Sequence, residues 1–466
     1  MEKYQVLIIG GGPGGYEAAI RLAQYEISTA VIEKERLGGI CLNWGCIPTK
    51  TLVKTAELVG EIREAPEYGL PELNFSLDYQ KVWERKNRIV EQLVSGVEFL
   101  FRKRKIPVFQ QTATSVTKID NGYNVKTADG SEYMCEYLIL ATGSLPKGLP
   151  GISIDEQNIL SSTGILQLSA LPGSMAIVGG GVIGCEFASI LASFGVAVTI
   201  IEFLPRLIAL EDEEISKRLT LALKKTGVKI ITKLGVTSIR PEAGEQVLTL
   251  TDGSEVRAEK VLMSVGRIPA LNIEFKDQEL ALERGAIAIA DDMQTNLDKV
   301  YAIGDVTGKL QLAHTARKQG LLCVEHIRGR ITGKPTKDHV LNYLNIPRCT
   351  FTNPEIASVG YTESEAKAAF GEIIVGKFPF AASGKAMAMS ATQGFVKTIA
   401  RKDTEELVGM HIMGPQAAEL IAQGAILISQ KTRAESIEDV VFAHPTLSEA
   451  IMESIEDLRS LAIHKI

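Results

Sequence analysis

The chain has 466 residues, 45% hydrophobic and 23% charged, with 42 glycines and 17 prolines, which excludes disorder and collagen-like repeats and leaves room for roughly three domains. Fifty basic against 56 acidic side chains give a net charge of −6, so no general field draws nucleic acid or an anionic membrane, and neither is expected as a partner. No uncharged apolar run reaches the roughly 18–20 residues of a membrane span, since even the stretch 174–201 carries Glu186 and several glycines.

From Met1 the chain passes through Glu2 and Lys3 straight into Val6-Leu7-Ile8-Ile9, with no basic leader or cleavage pattern, so a cytoplasmic protein whose first strand begins at once is expected. Gly10-Gly11-Gly12-Pro13-Gly14-Gly15 follows, then a run of helical spacing from Tyr16 to Ala23, then a strand Thr29-Ala30-Val31-Ile32 ending at Glu33. The same order returns 169 residues later. Ala176-Ile177-Val178 leads into Gly179-Gly180-Gly181-Val182-Ile183-Gly184, a helix expected over 187–194, a strand over 196–201 and Glu202.

Each unit meets the needs of a dinucleotide site. Gly10 and Gly179 allow a sharp turn, Gly12 and Gly181 let the backbone approach a pyrophosphate, and Gly15 and Gly184 let helix pack on strand. The pyrophosphate then faces a helix N-terminus, where free N–H groups and the dipole favour an anion. Glu33 and Glu202, each 18 residues after its third glycine, are placed to accept ribose hydroxyls. At Glu202 a 2′-phosphate about 4 Å away costs on the order of 1 kcal/mol in water and more when buried, so NAD is preferred over NADP. Arg206, the one cation near in sequence, reads as a solvated surface residue.

Between the units lie Cys41 and Cys46, in Gly38-Gly39-Ile40-Cys41-Leu42-Asn43-Trp44-Gly45-Cys46-Ile47-Pro48-Thr49-Lys50. Residues five apart in a regular helix are about 8.6 Å apart between Cα atoms, beyond the roughly 7 Å a disulfide spans. If the pair bonds, the helix must be distorted there, and Asn43 and Gly45 tolerate such a turn. Lys50, one turn beyond Cys46, brings positive charge to the same face. No second Cys/His pair stands at metal spacing, so no metal is expected, and the neighbouring nucleotide units favour a redox role over a structural one. Cys135, Cys323 and Cys349 read as buried small hydrophobes, and Cys185 has no assigned role. Near the C-terminus, Pro445 suits the first turn of a helix, with His444 at its entrance and Glu449 inside it, able to orient the ring.

Together these motifs resemble the flavoprotein pyridine nucleotide-disulfide oxidoreductases, and within them the branch that oxidises dihydrolipoyl groups. The resemblance spans essentially the whole chain. It rests on the first glycine motif, the Cys-Leu-Asn-x-Gly-Cys-Ile-Pro-Thr-Lys run at 41–50, Ala141-Thr142-Gly143-Ser144, the second glycine motif, and Val265-Gly266-Arg267-Ile268-Pro269. Tyr301-Ala302-Ile303-Gly304-Asp305, Leu312-Ala313-His314 and His444-Pro445-Thr446-Leu447-Ser448-Glu449 complete it.

The resemblance implies an α/β fold: two Rossmann-like dinucleotide-binding domains, for FAD and NAD, and a C-terminal α+β dimerisation domain. The expected segments are 1–145 (FAD domain, first part), 146–270 (NAD domain), 271–340 (return to the FAD domain) and 341–466 (interface of a homodimer). It implies FAD contacts at Gly10, Gly12, Gly15, Glu33, Lys50, Ala113, Thr142, Gly143, Asp305, Ala313 and His314. NAD contacts are implied at Gly179, Gly181, Gly184, Glu186, Glu202, Val236 and Gly266, with Glu186 and Lys50 forming an ion pair beside the flavin. By the same resemblance Cys41 exchanges with the dihydrolipoyl thiolate and Cys46 passes electrons through the flavin to NAD. His444 is the acid/base and Glu449 its partner, acting on the neighbouring subunit. The lipoyl group arrives on another protein, of a 2-oxoacid dehydrogenase or glycine cleavage complex. The alternative is an NADH-dependent reductase of another small disulfide or a quinone. The sequence departs from the branch's pattern at Phe442, where a second histidine is common, and at Trp44, which is bulkier than usual.

Overall fold

Val6, Leu7 and Ile8 are fully buried because their strand, Glu2–Ile9, lies inside a sheet, with a parallel neighbour on each edge at Thr29–Ile32 and Glu132–Leu140. Strands buried on both faces need near-continuous apolar runs, and each such side chain contributes about 1.5–3 kcal/mol by leaving water. In the computed structural model, which describes residues 2–334 and 340–465, this sheet belongs to the first of two units. That unit is assembled from 1–51, 80–147 and 266–341; the second comprises 52–79, 148–265 and 342–466. The expected segment ends at 1 and 466 fall outside the described residues, as do 335–339 within the expected return segment 271–340.

The first unit's sheet continues from Thr29–Ile32 to the short strand Val108–Phe109 on one side. On the other side Glu132–Leu140 pairs with Val300–Ala302 in its second half and with the antiparallel ribbon Ala113–Ile119 and Gly122–Thr127 in its first. Helix Pro13–Gln24 follows the first strand with Pro13 at its start, where a missing N–H costs nothing. It packs closely on helix Ala313–Thr332: a Cβ on Gly320 would lie 2.8 Å from the Gly14 carbonyl oxygen, so only glycine allows the approach.

The second unit holds a parallel sheet, in the order Lys229–Thr232, Ala197–Glu202, Ser174–Val178, Lys260–Met263, Ile159–Leu160, and an antiparallel three-stranded ribbon beginning at Val236. The helix expected over 187–194 runs instead over Val182–Ser193, because Gly184 already sits in its first turn, and the strand after it includes Glu202. A five-stranded antiparallel sheet in the order Arg348–Thr350, Glu355–Gly360, Leu407–Gly414, Phe395–Arg401, Ile373–Pro379 is covered by helices Ala417–Ser429 and Glu449–Glu456. The segments expected as a separate nucleotide domain and interface domain thus form one compact unit here.

The internal repeat extends beyond the glycine motifs. Ala113 opposes Thr127 with a register shift before Ser115, and Val236 opposes Leu250 with a register shift before Ser238. These equivalent positions are 123 residues apart rather than 169, because the first copy also accommodates the long helices Cys46–Glu64 and Tyr79–Arg104 between its second strand and its ribbon. Among the described residues no helix is long and apolar enough to cross a membrane.

Candidate active site

The two glycine loops share one geometry. Gly10 and Gly179 have φ of 110° and 106°, and a Cβ on either would strike a backbone oxygen, Ala141 O at 2.2 Å or Ser264 O at 2.5 Å. Gly15 and Gly184 would place a Cβ 1.9 and 2.1 Å from the carbonyl oxygens of Gly10 and Gly179, so helix and strand touch there. Gly12 and Gly181 are different. Both cap their helices with extended backbone, and a Cβ meets only Gly39 Cα at 3.9 Å in the first loop and nothing within 4 Å in the second. Space beside the second glycine, in front of free helix N–H groups, is what an approaching pyrophosphate requires, so both cradles fit a dinucleotide.

Glu33 and Glu202 are buried and tie their own loops. Gly11 N donates to Glu33 Oε2 and Gly180 N to Glu202 Oε2, both at 2.6 Å, while Glu35 N and Leu204 N donate to the other oxygens at 2.8 and 2.7 Å. Each carboxylate oxygen keeps a further lone pair for a ribose hydroxyl. Arg206 is not a free surface cation. Its guanidinium donates to the carbonyls of Ala209 and Glu211 at 2.7 and 2.8 Å and so staples the turn after Glu202.

At the cysteine pair the helix breaks. Gly39–Trp44 and Cys46–Glu64 are separate helices, and Gly45 between them has φ −148° and ψ −108°. Asn43 secures the turn by donating to the carbonyls of Leu37 and Gly39. Cys41 is half-buried and Cys46 exposed, both as thiols. The Cys41 thiol is pushed well above the usual range, first by its hydrogen bond to Cys46, then by burial and by the negative charge of Cys46; Lys50 acts in the opposite sense. Cys135, Cys185 and Cys323 are buried, as apolar packing requires, whereas Cys349, expected among them, is only partly covered on its strand.

The remaining predicted contacts of the first unit lie at element ends. Ala113 opens its strand, Thr142 donates to Ala270 O at 2.7 Å, and Gly143 has φ 75° with open space beside it. Ala313 and His314 begin helix Ala313–Thr332, and Gly266 stands at φ 113° with nothing within 4 Å of where a Cβ would lie. Asp305 lies in the short helix Gly304–Thr307 and accepts from Ser144 Oγ at 2.5 Å. Arg267 completes that group, its Nε donating to Ser144 Oγ at 2.7 Å and its Nη2 to Ser144 O at 2.8 Å. Burial depresses the Arg267 guanidinium, while Asp305 and Cys46 both favour its charge. Ser144 and Arg267 were visible as parts of motifs, but their pairing, through strands Ser144–Pro146 and Arg267–Pro269, was not.

In the second unit Val236 opens its ribbon. Glu186, one turn inside its helix rather than in the first turn, accepts from Phe351 N at 2.9 Å. His444 Nδ1 lies 2.8 Å from Glu449 Oε1, while Glu449 Oε2 accepts from Thr446 N at 2.7 Å. Burial raises the Glu449 carboxyl, but the Thr446 amide and the His444 ring together hold it below the usual range. The helix starts at Glu449, not at Pro445; the His444–Pro445 peptide is cis, and the carboxylate of the first helical residue caps the turn that follows it. Among the described residues no cluster of three His, Cys, Asp or Glu side chains is suited to a metal ion.

Residues 4–320 match the pyridine nucleotide-disulphide oxidoreductase family, and 346–455 match that family's dimerisation domain. The chain is 40% identical over 478 aligned positions to a dihydrolipoyl dehydrogenase of Bacillus subtilis, covering 99% of each chain. Among solved structures it is similar to LpdA from Mycobacterium tuberculosis, at a TM-score of 0.88 and 26% identity over 98% of this chain and 100% of that one. The HOCl-induced flavoprotein disulfide reductase RclA from Escherichia coli is similar at 0.84 and 29%, over 98% and 99%. The chain belongs to the pyridine nucleotide-disulphide oxidoreductases, an α/β family with FAD and NAD domains and a dimerisation domain.

Proposed function

We propose that this protein is a dihydrolipoyl dehydrogenase, oxidising protein-bound dihydrolipoyl groups to lipoyl with reduction of NAD to NADH. The observation that carries the reading is the Cys41–Cys46 pair at a helix break, the two sulfurs hydrogen-bonded to each other and Lys50 acting on Cys41, in a chain with two glycine cradles. Bound FAD stores the electron pair and NAD accepts it as hydride.

The residues then divide the work. In the oxidised enzyme Cys41 and Cys46 form a disulfide; a dihydrolipoyl thiolate attacks the Cys41 sulfur and Cys46 leaves as a thiolate. An unperturbed thiol near pKa 8.5 is only a few per cent ionised at pH 7, so a base must take its proton, and His444 held by Glu449 is that base. The second lipoyl thiol, deprotonated in the same way, displaces Cys41 from the mixed disulfide; lipoyl leaves oxidised and the cysteines are reduced. Lys50 keeps positive charge beside the pair, and Glu186 serves with it near the flavin.

The site residues at the two cradles hold FAD in the first copy and NAD in the second, with 1–145 and 271–340 as the FAD domain, 146–270 as the NAD domain and 341–466 as the interface. In the homodimer His444 of one protomer acts on the cysteines of its partner. The lipoyl group comes on a 2-oxoacid dehydrogenase or glycine cleavage complex in the cytoplasm. Steady-state kcat/KM for dihydrolipoamide with NAD, against small disulfides and quinones with NADH, tests the reading. Dihydrolipoamide with NAD should exceed the others; faster reduction of another disulfide or a quinone by NADH would replace it.

A further inference from the structure

The turn that follows Glu202 is held from outside the nucleotide fold. Residues 203–212 contain no helix or strand, yet Leu204 N is bonded to Glu202 Oε1 and Ile208 N donates to Gly180 O at 2.8 Å. Position within this segment therefore sets both the carboxylate and the glycine loop. A ten-residue irregular segment does not hold its own geometry; its ends must be fixed.

The outer end is fixed by two ion pairs to the antiparallel sheet. Arg348, on strand Arg348–Thr350, donates from Nε and Nη2 to the two oxygens of Glu211 at 3.0 and 3.4 Å. Lys397, on strand Phe395–Arg401 and 3% exposed, donates to both oxygens of Asp212 at 3.0 Å and lies 2.8 Å from Glu363 Oε2. Asp212 also caps the helix Glu213–Lys225 by accepting from Glu214 N. The same edge reaches the other side of the cradle, since Phe351 N donates to Glu186 and Asn353 N to Ser189 Oγ, both on the helix that Gly181 caps.

We propose that Arg348 and Lys397 are positioning residues for the nicotinamide dinucleotide: through Glu211 and Asp212 they hold the turn that orients Glu202, and so they set NAD affinity and the preference for NAD over NADP. This rests on the reading of Glu202 as the ribose-facing carboxylate. Arg348 and Lys397 touch no reacting atom. Their effect is confined to the nucleotide that Glu202 faces and does not extend to electron transfer from dihydrolipoamide into the enzyme.

The test is steady-state kinetics of the FAD-loaded Arg348→Gln enzyme with NAD and NADP, together with the rate of flavin reduction by dihydrolipoamide without nucleotide. KM for NAD should rise about tenfold, the size usual for coupling between a binding site and a remote contact, and the NAD/NADP ratio of kcat/KM should fall. The maximal rate with saturating NAD and the flavin reduction rate should stay at wild-type values, and Arg348→Lys should recover part of the loss. Removing Lys397 alone strands Asp212 as a buried charge, so Lys397→Met is paired with Asp212→Asn, which keeps the helix cap; the same KM shift is expected. An unchanged KM and NAD/NADP ratio in Arg348→Gln would overturn the proposal, as would a parallel fall in flavin reduction. Glu202→Gln separates the two ideas. If it moves KM and the NAD/NADP ratio while Arg348→Gln does not, only the positioning role falls; if Glu202→Gln moves neither, the ribose reading falls with it.

Discussion

His444 Nδ1 and Glu449 Oε1 stand 2.8 Å apart, with the histidine side chain 80% exposed and the carboxylate 25% exposed. The carboxylate is further held by the Thr446 amide, so it fixes the ring's tautomer and leaves Nε2 for proton exchange.

Replacing His444 with Gln should remove the base without disturbing the cradles. Turnover of dihydrolipoamide is expected to fall about 10²–10⁴-fold, the usual worth of a positioned base. Reduction of the flavin by NADH, followed by stopped-flow absorbance, should remain close to wild type. Near-normal turnover in the variant would remove His444 from the mechanism.

In the reduced protein Cys41 and Cys46, neither of them buried, should be alkylated before the buried cysteines. Cys41, half-buried and pushed up by its hydrogen bond to Cys46, should react more slowly than an exposed thiol but faster than a buried one. Burial pushes Cys135, Cys185 and Cys323 upward as well, so they should label only on unfolding. Peptide mass mapping over a time course with iodoacetamide reads the order directly.

Two glycines of the second loop, Gly184 and Gly181, should fail in different ways. Gly184→Ala puts a methyl 2.1 Å from Gly179 O and should destabilise by about 1–3 kcal/mol or more. Gly181→Ala, at φ −74° with open space, should leave the melting temperature unchanged yet raise KM for NAD, because the methyl occupies the room left for the pyrophosphate. Thermal melts and NAD titrations of the two variants check this; equal loss of stability would contradict it.

The buried Asp212–Lys397 pair should shape stability against pH. Burial raises the Asp212 carboxyl, but His411 and Lys397 outweigh it and hold the group below its usual range. Burial lowers Lys397, but Glu363 and Asp212 outweigh it and hold it above. His411, fully buried, is itself held below its usual range by burial. The Asp212 contribution is present above about pH 3.9 and lost as pH falls through the lower folded value; that of Lys397 is present below about pH 10.4 and lost as pH rises through the higher folded value. Urea melts should show both limbs in the wild type and weakened limbs in Lys397→Met/Asp212→Asn.

Much of the site was legible because its chemistry is local. The strand, glycine turn and helix around Gly10 and Gly179, the Cys41 and Cys46 spacing, and the His444 to Glu449 run are each written within a few tens of residues. Where the structure differs, the difference is conformational: the helix after the second loop starts at Val182 and the C-terminal one at Glu449, ends that apolar spacing does not mark.

By itself the sequence determined the two nucleotide units and their order, because periodicity and glycine chemistry act between neighbours in the chain; it tied a helix break at Cys41 and Cys46 to their bonding, and the break is present with both cysteines free. Only the tertiary structure decided what Glu202 and its turn lean on. Arg348 lies 137 residues from Glu211, and Lys397 lies 185 from Asp212; a charge in a sequence looks the same whether solvated or paired, and only the folded chain brings these partners within hydrogen-bond reach.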